Sequence, residues 1–206
     1  LGNHDLHLLA SAHGLRSPRP GDTLEALLAA DDREALLAWL AECPFLHRES
    51  AHVFVHAGLH PSWQPGEAER RAQRLQEALR DDARSLLESY QQQVPVYPQD
   101  VQGPEQQVAF DLAVFTRLRC LTVDGALSFD FSAGLDELPA DRVPWWRAGH
   151  ALPATETVVF GHWAAIGVHR EKQFRAIDSG CVWGRLLSAY CIENDRVVQV
   201  PGLAGI

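Results

Sequence analysis

Residues 52–58 read His-Val-Phe-Val-His-Ala-Gly. A short run of β-branched and aromatic residues, closed by a His and two small residues, is the pattern of a buried strand that ends in a polar loop. The pattern recurs at residues 157–162, Thr-Val-Val-Phe-Gly-His. A related arrangement opens the chain, where Gly2-Asn3-His4-Asp5 has the composition of a junction between a strand end and a helix. In layered α/β folds, loops converge on one crevice at the strand ends. Three such places argue for a mixed α/β fold with a shared polar site.

The chain has 206 residues, 46% of them hydrophobic and 22% charged. It is long enough for one domain with a sizeable core and a modest insertion. The formal net charge of −9 argues against nucleic acid or an anionic membrane as partner, since both need a basic face. No run of about 18 apolar residues offers a transmembrane helix. Cys43, Cys120, Cys181 and Cys191 show no CxxC spacing. They read as reduced thiols of a cytoplasmic protein rather than as a zinc site or disulfide framework. The chain contains no Met and opens on a turn with no strand ahead of it. Together these predict that the first strands are missing.

Leu6, Leu8, Leu9 and Ala12 predict a short helix reaching Gly14, followed by a loop over 15–23. Asp22 is placed to cap 23–29, and Asp31 or Asp32 to cap 33–42. Residues 45–58 read as two strands around a polar turn. Ala72, Leu75, Leu79, Ala83, Leu86 and Leu87 recur at three and four, predicting one long helix over 66–90. Residues 91–104, rich in Pro and Gln, predict a loop, and 61–108 together a helical insertion over the cleft. A helix or turn then leads into a hairpin over Asp124-Gly125, and four short apolar runs near the C-terminus read as strands.

Asn oxygen and neutral imidazole nitrogen suit Mn, Fe, Co, Ni or Zn better than Ca or Mg. Asn3, His56 and His162, each beside Gly or Ala or one residue from it, are therefore the candidate metal ligands. His7, His13, His47, His52, His60, His150 and His169 lack that setting and read as surface or packing residues. Arg117 and Arg119, two apart, would face one side if their segment is extended, and guanidinium forks match phosphate oxygens. The alternative is a pair of surface charges, which for Arg119 accounts equally well.

In order, GNHD (2–5), HAGLHPSW (56–63), FTRLR (115–119), FGHWA (160–164) and AIDSGCVWG (176–184) resemble the symmetrical bis(5′-nucleosyl)-tetraphosphatase, or diadenosine tetraphosphatase, family of calcineurin-like metallophosphoesterases. GNHD and GHW alone carry only the superfamily; FTRLR and DSGCVWG narrow the resemblance. It implies a two-sheet sandwich flanked by helices in a single domain over 1–206. It also implies hydrolysis of diadenosine tetraphosphate to two ADP with two divalent ions, Mn or Co among them. Members carry Gly-Asp-x-His-Gly and Gly-Asp-x-x-x-Arg-Gly motifs ahead of GNHD, and neither occurs here. The chain alone is therefore expected to be inactive or nearly so.

By the same resemblance His4 is the catalytic general acid and Asn3, His56 and His162 hold a metal, while Arg117 and Arg119, by their guanidinium forks, are the candidates for the polyphosphate of the small-molecule substrate. Asp5 either orients His4 or caps the helix, and Asp178 supports the site from behind. Trp163 and Trp183 either stack on adenine or pack in the core. Two other readings stand beside this one: a protein serine/threonine phosphatase of the same superfamily, and a non-catalytic nucleotide-binding module.

Overall fold

The computed structural model describes residues 1–17, 21–64 and 66–203. A five-stranded sheet organises the fold. Its strands are β1 (Leu46–Glu49), β2 (His52–Val55), β6 (Thr157–Phe160), β7 (His169–Glu171) and β8 (Phe174–Ala176), in the order β1-β2-β6-β8-β7. The pairs β2–β6 and β6–β8 are parallel, and the two outer pairs antiparallel. The central β6 is buried over Val158, Val159 and Phe160, as parallel strands covered on both faces usually are. A three-stranded sheet joins β3 (Cys120–Thr122), β4 (Leu127–Ser128) and β5 (Arg142–Pro144), and β9 (Leu186–Cys191) and β10 (Arg196–Pro201) form a separate hairpin.

Helix α1 (Asn3–Ala12) starts directly from GNHD, and α2 (Glu25–Leu28) and α3 (Arg33–Glu42) follow. Residues 18–20 of the loop expected over 15–23 lie outside the described residues. Asp22 is not the N-cap of α2, a position that Leu24 occupies, and its carboxylate takes a 2.8 Å hydrogen bond from His7 Nε2. Asp32 stands at the N-cap of α3 but makes no side-chain cap.

The long helix expected over 66–90 is two helices, α4 (Glu67–Asp81) and α5 (Ala83–Ser89). Asp82 leaves helical geometry and accepts a 3.0 Å bond from the Ser85 amide, so a capping carboxylate breaks a continuous apolar stripe. The predicted loop over 91–104 ends in α6 (Gly103–Arg117), which crosses the expected insertion boundary. Its second half, Ala109 to Thr116, is entirely buried. The hairpin over Asp124-Gly125 forms as β3 and β4. Among the described residues no helix is long and apolar enough to cross a membrane, and all four cysteines are free thiols.

Candidate metal centre

The parallel strands β2, β6 and β8 all end at one edge of the sheet. His56 follows β2 directly, Gly161-His162 follow β6, and Ile177-Asp178 follow β8. Backbone bonds keep these ends in register: the Gly161 amide donates to the His56 carbonyl and the Ile177 amide to Phe160, each at 2.9 Å. The N-terminus of α1 meets the same edge. The Gly2 amide donates to the Asp5 carboxylate at 2.7 Å, so Asp5 caps the helix. Of the two roles the sequence left open for Asp5, this is the one the geometry displays.

Three donor atoms converge there. His56 Nε2 lies 2.9 Å from Asn3 Oδ1 and 3.3 Å from His162 Nδ1, and that Nδ1 lies 3.1 Å from Asn3 Oδ1. Three ligands that meet one cation at about 2.0–2.1 Å and near right angles stand about 3 Å apart, so the triangle has the dimensions of a coordination face. Among the described residues no three His, Cys, Asp or Glu side chains form a metal cage; here the third donor is an amide oxygen.

Electrostatics favour the same use. Burial holds the His56 imidazole down to about 4, against an opposing pull from Asp5. Burial also lowers His162 to about 3, helped by Arg119 and His56, while the main chain of Arg117 works the other way. Both rings are therefore neutral near pH 7, the form that ligates metals. A neutral ring has one N–H and one lone pair, and the main chain of Arg117 offers His162 a hydrogen-bond acceptor. A cation at Nδ1 leaves Nε2 as the N–H. His162 also holds a positive φ of 65°, a left-handed conformation that a non-Gly residue adopts at a cost. A Cβ on Gly2 would lie 2.4 Å from His56 Nδ1, so only glycine lets that ring close on the helix start.

His4 is exposed in the first turn of α1, one residue beyond Asn3. Its charge would lower both His56 and His162. Asp178 accepts a 2.9 Å bond from the Gly180 amide and lies close enough to His56 to raise it. A cavity of about 440 Å³ opens beside the triangle, with Gly2, Asp5, His56, His162 and Asp178 on its polar side and Phe54 and Val159 on its apolar side.

The arginines differ from expectation. Their segment is not extended: Arg117 is the last residue of α6 and Arg119 lies in the link to β3. They are not surface charges either. Arg117 Nε and Nη2 and Arg119 Nε are buried without hydrogen-bond partners, and burial lowers the pKa of both. The Arg117 guanidinium lies over the rings of Tyr90 and Phe129, 5.2 Å from each centroid. Trp163 is core, 2% exposed, packed on Phe131 and Trp146, with Nε1 donating to the Ala133 carbonyl at 2.8 Å. It does not stack on a base. Trp183 is 70% exposed. Sequence reasoning missed Tyr90, whose hydroxyl donates to the Asn3 carbonyl at 3.4 Å across 87 residues, a contact with no local signal.

No family model matches the chain. Curated proteins do. The symmetrical bis(5′-nucleosyl)-tetraphosphatase of Methylobacillus flagellatus is 40% identical over 203 residues, covering 98% of this chain and 73% of that protein. Its counterpart in Burkholderia mallei is 42% identical over 206 residues, covering 97% and 71%. A crystal structure of a candidate diadenosine tetraphosphatase, 23% identical, superposes with a TM-score of 0.57 over all of this chain and 68% of the other, a likeness of fold. With two-fifths of its residues shared along almost its whole length, the chain belongs to the symmetrical bis(5′-nucleosyl)-tetraphosphatase family of hydrolases.

Proposed function

We propose that this protein serves the metal-dependent hydrolysis of diadenosine tetraphosphate to two ADP. The observation that carries the reading is the triangle of Asn3 Oδ1, His56 Nε2 and His162 Nδ1, with edges of 2.9 to 3.3 Å at the ends of parallel strands. In the proposal these atoms hold one divalent ion, Mn or Co among the candidates. Bound divalent ions supply an activated hydroxide and neutralise phosphoryl oxygens.

The chain's own residues do the rest. His4, exposed at the mouth of the site, donates a proton to the oxygen that leaves with ADP, a step worth about 10²–10⁴-fold. Arg117 and Arg119 hold the polyphosphate, and phosphoryl transfer depends mostly on such positioning and charge stabilisation. Their buried, unpartnered nitrogens support that role. Asp178 steadies the site from behind His56. The same reading takes the five-stranded sheet as one layer of a two-sheet sandwich in a single domain. It also assigns these residues the donors of one ion only, so the 206 residues alone would show little or no hydrolysis.

Diadenosine tetraphosphate given to the complete gene product with Mn²⁺ tests the reading. Two ADP per substrate, lost on chelation, is the expected result. ATP plus AMP, unchanged turnover under a chelator, or preference for a phosphopeptide would contradict it.

A further inference from the structure

Tyr90, 4% exposed, follows α5 with a cation on its ring from two directions in sequence. Arg117 Cζ lies 5.2 Å from its centroid, and Arg16 Cζ, on the segment after α1, lies 4.9 Å from it. Among the described residues no carboxylate stands within salt-bridge range of Arg16, Arg117 or Arg119. The other buried or half-buried arginines do have such partners: Arg48 with Glu156, Arg71 with Asp111, Arg142 with Asp130, Arg175 with Asp195. A cation–π contact offsets only part of the cost of desolvating a guanidinium. Two guanidiniums on one ring also repel, and Arg16 does lower Arg117.

A phosphate group, which accepts hydrogen bonds from guanidinium forks, would offset these charges. The cluster's location narrows the anion. The Tyr90 hydroxyl reaches the carbonyl of Asn3, whose side chain is one corner of the donor triangle. We propose that Arg16 and Arg117, set on Tyr90, form a clamp for a phosphate group of the substrate's polyphosphate chain beyond the one at the triangle. The proposal rests on the hydrolase reading for its substrate, while the clamp itself is an anion site that can be measured without turnover. Arg16 is thus a binding residue that fixes how far along the chain the reacting phosphate lies.

Inorganic tripolyphosphate, titrated calorimetrically into the chain, is the probe. Arg16→Gln is expected to weaken it about 10- to 100-fold, the loss of charge-assisted hydrogen bonds, with the melting temperature unchanged. Arg16→Lys should recover part of the loss, and Arg33→Gln, on an exposed arginine paired with Glu34, should have no effect. In the complete gene product Arg16→Gln should raise KM for diadenosine tetraphosphate more than it lowers kcat. No tripolyphosphate binding by the wild-type chain, or equal binding by wild type and Arg16→Gln, would overturn the clamp even if hydrolysis is normal. An intact clamp on a protein that hydrolyses no dinucleoside polyphosphate would instead sink the hydrolase reading alone.

Discussion

Arg71 on α4 and Arg117 at the end of α6 both rest on an aromatic ring, Arg71 on Trp63 at 5.1 Å and Arg117 on Tyr90 at 5.2 Å. Arg71 also donates to Asp111 at 2.8 Å and to Glu67 at 2.7 Å. Arg117 has two buried nitrogens with no hydrogen-bond partner among the described residues. The difference is a carboxylate. Where the fold supplies the counter-charge, a buried cation ties α4 to α6 and is structural. Where it does not, the guanidinium stays buried with no ionic partner among the described residues. The histidines repeat the lesson in another form: buried and hydrogen-bonded to no carboxylate, His56 and His162 are neutral near pH 7.

The contrast breaks most visibly at Asp111. Burial pushes its carboxyl up to about 6 although Arg71 and Gln107 pull it down, so the pair is fully ionised only above that pH. Asp111→Ala leaves Arg71 buried with Glu67 alone and should destabilise by about 3–5 kcal/mol, read by urea unfolding at pH 7.5. Arg117→Gln, by contrast, removes an uncompensated charge and should change stability by less than about 1 kcal/mol in either direction. Equal, large losses from both would erase the distinction.

Acid gives the next effect. Burial lowers His60 from 6.5 to about 4, with Nε2 unpartnered. Its folded pKa lies below its unfolded one, so its contribution is whole above pH 6.5 and is lost as pH falls toward 4. The loss is roughly 3 kcal/mol, and His56 and His162 add in the same direction. Asp111 opposes, since a raised carboxyl favours the folded state as pH falls from 6 to 3.8. Unfolding free energy followed from pH 7 to 4 should therefore decline; a flat or rising profile would contradict the neutral buried imidazoles.

A smaller effect is expected at Gly2. A methyl group there meets the His56 ring at 2.4 Å and must displace it, so Gly2→Ala should weaken Mn²⁺ binding about 10- to 100-fold without removing a ligand. Unaltered affinity, measured by titration calorimetry, would show that the ring position is not set by the helix start.

The sequence made the strand ends legible because each joins an apolar run to a small residue and a ligand-bearing side chain, and such runs become buried strands whatever surrounds them. Hence His56 and His162 could be placed beside one another from a distance of 106 residues, with Asn3 at the third corner. The helical layer was read less well. An apolar stripe hides a break when a capping residue such as Asp82 falls within it, and the spacing of Arg117 and Arg119 says nothing until the segment's conformation is known. Trp163 could not be told from a base-stacking residue, because whether an indole N–H meets a carbonyl or a ligand is decided by Ala133, 30 residues away. Tyr90 and Arg16 were invisible for the same reason: their meaning lies in contacts between distant segments.

The central claim is that Asn3, His56 and His162 form one cation position. Calorimetric titration of Mn²⁺ into the chain, repeated on Asn3→Ala, His56→Ala and His162→Ala, tests it directly. One ion per chain, with affinity reduced at least about 100-fold by each of the three changes, is the predicted result. Binding that survives in any folded variant of the three would show that the triangle is a packing arrangement and not a metal site.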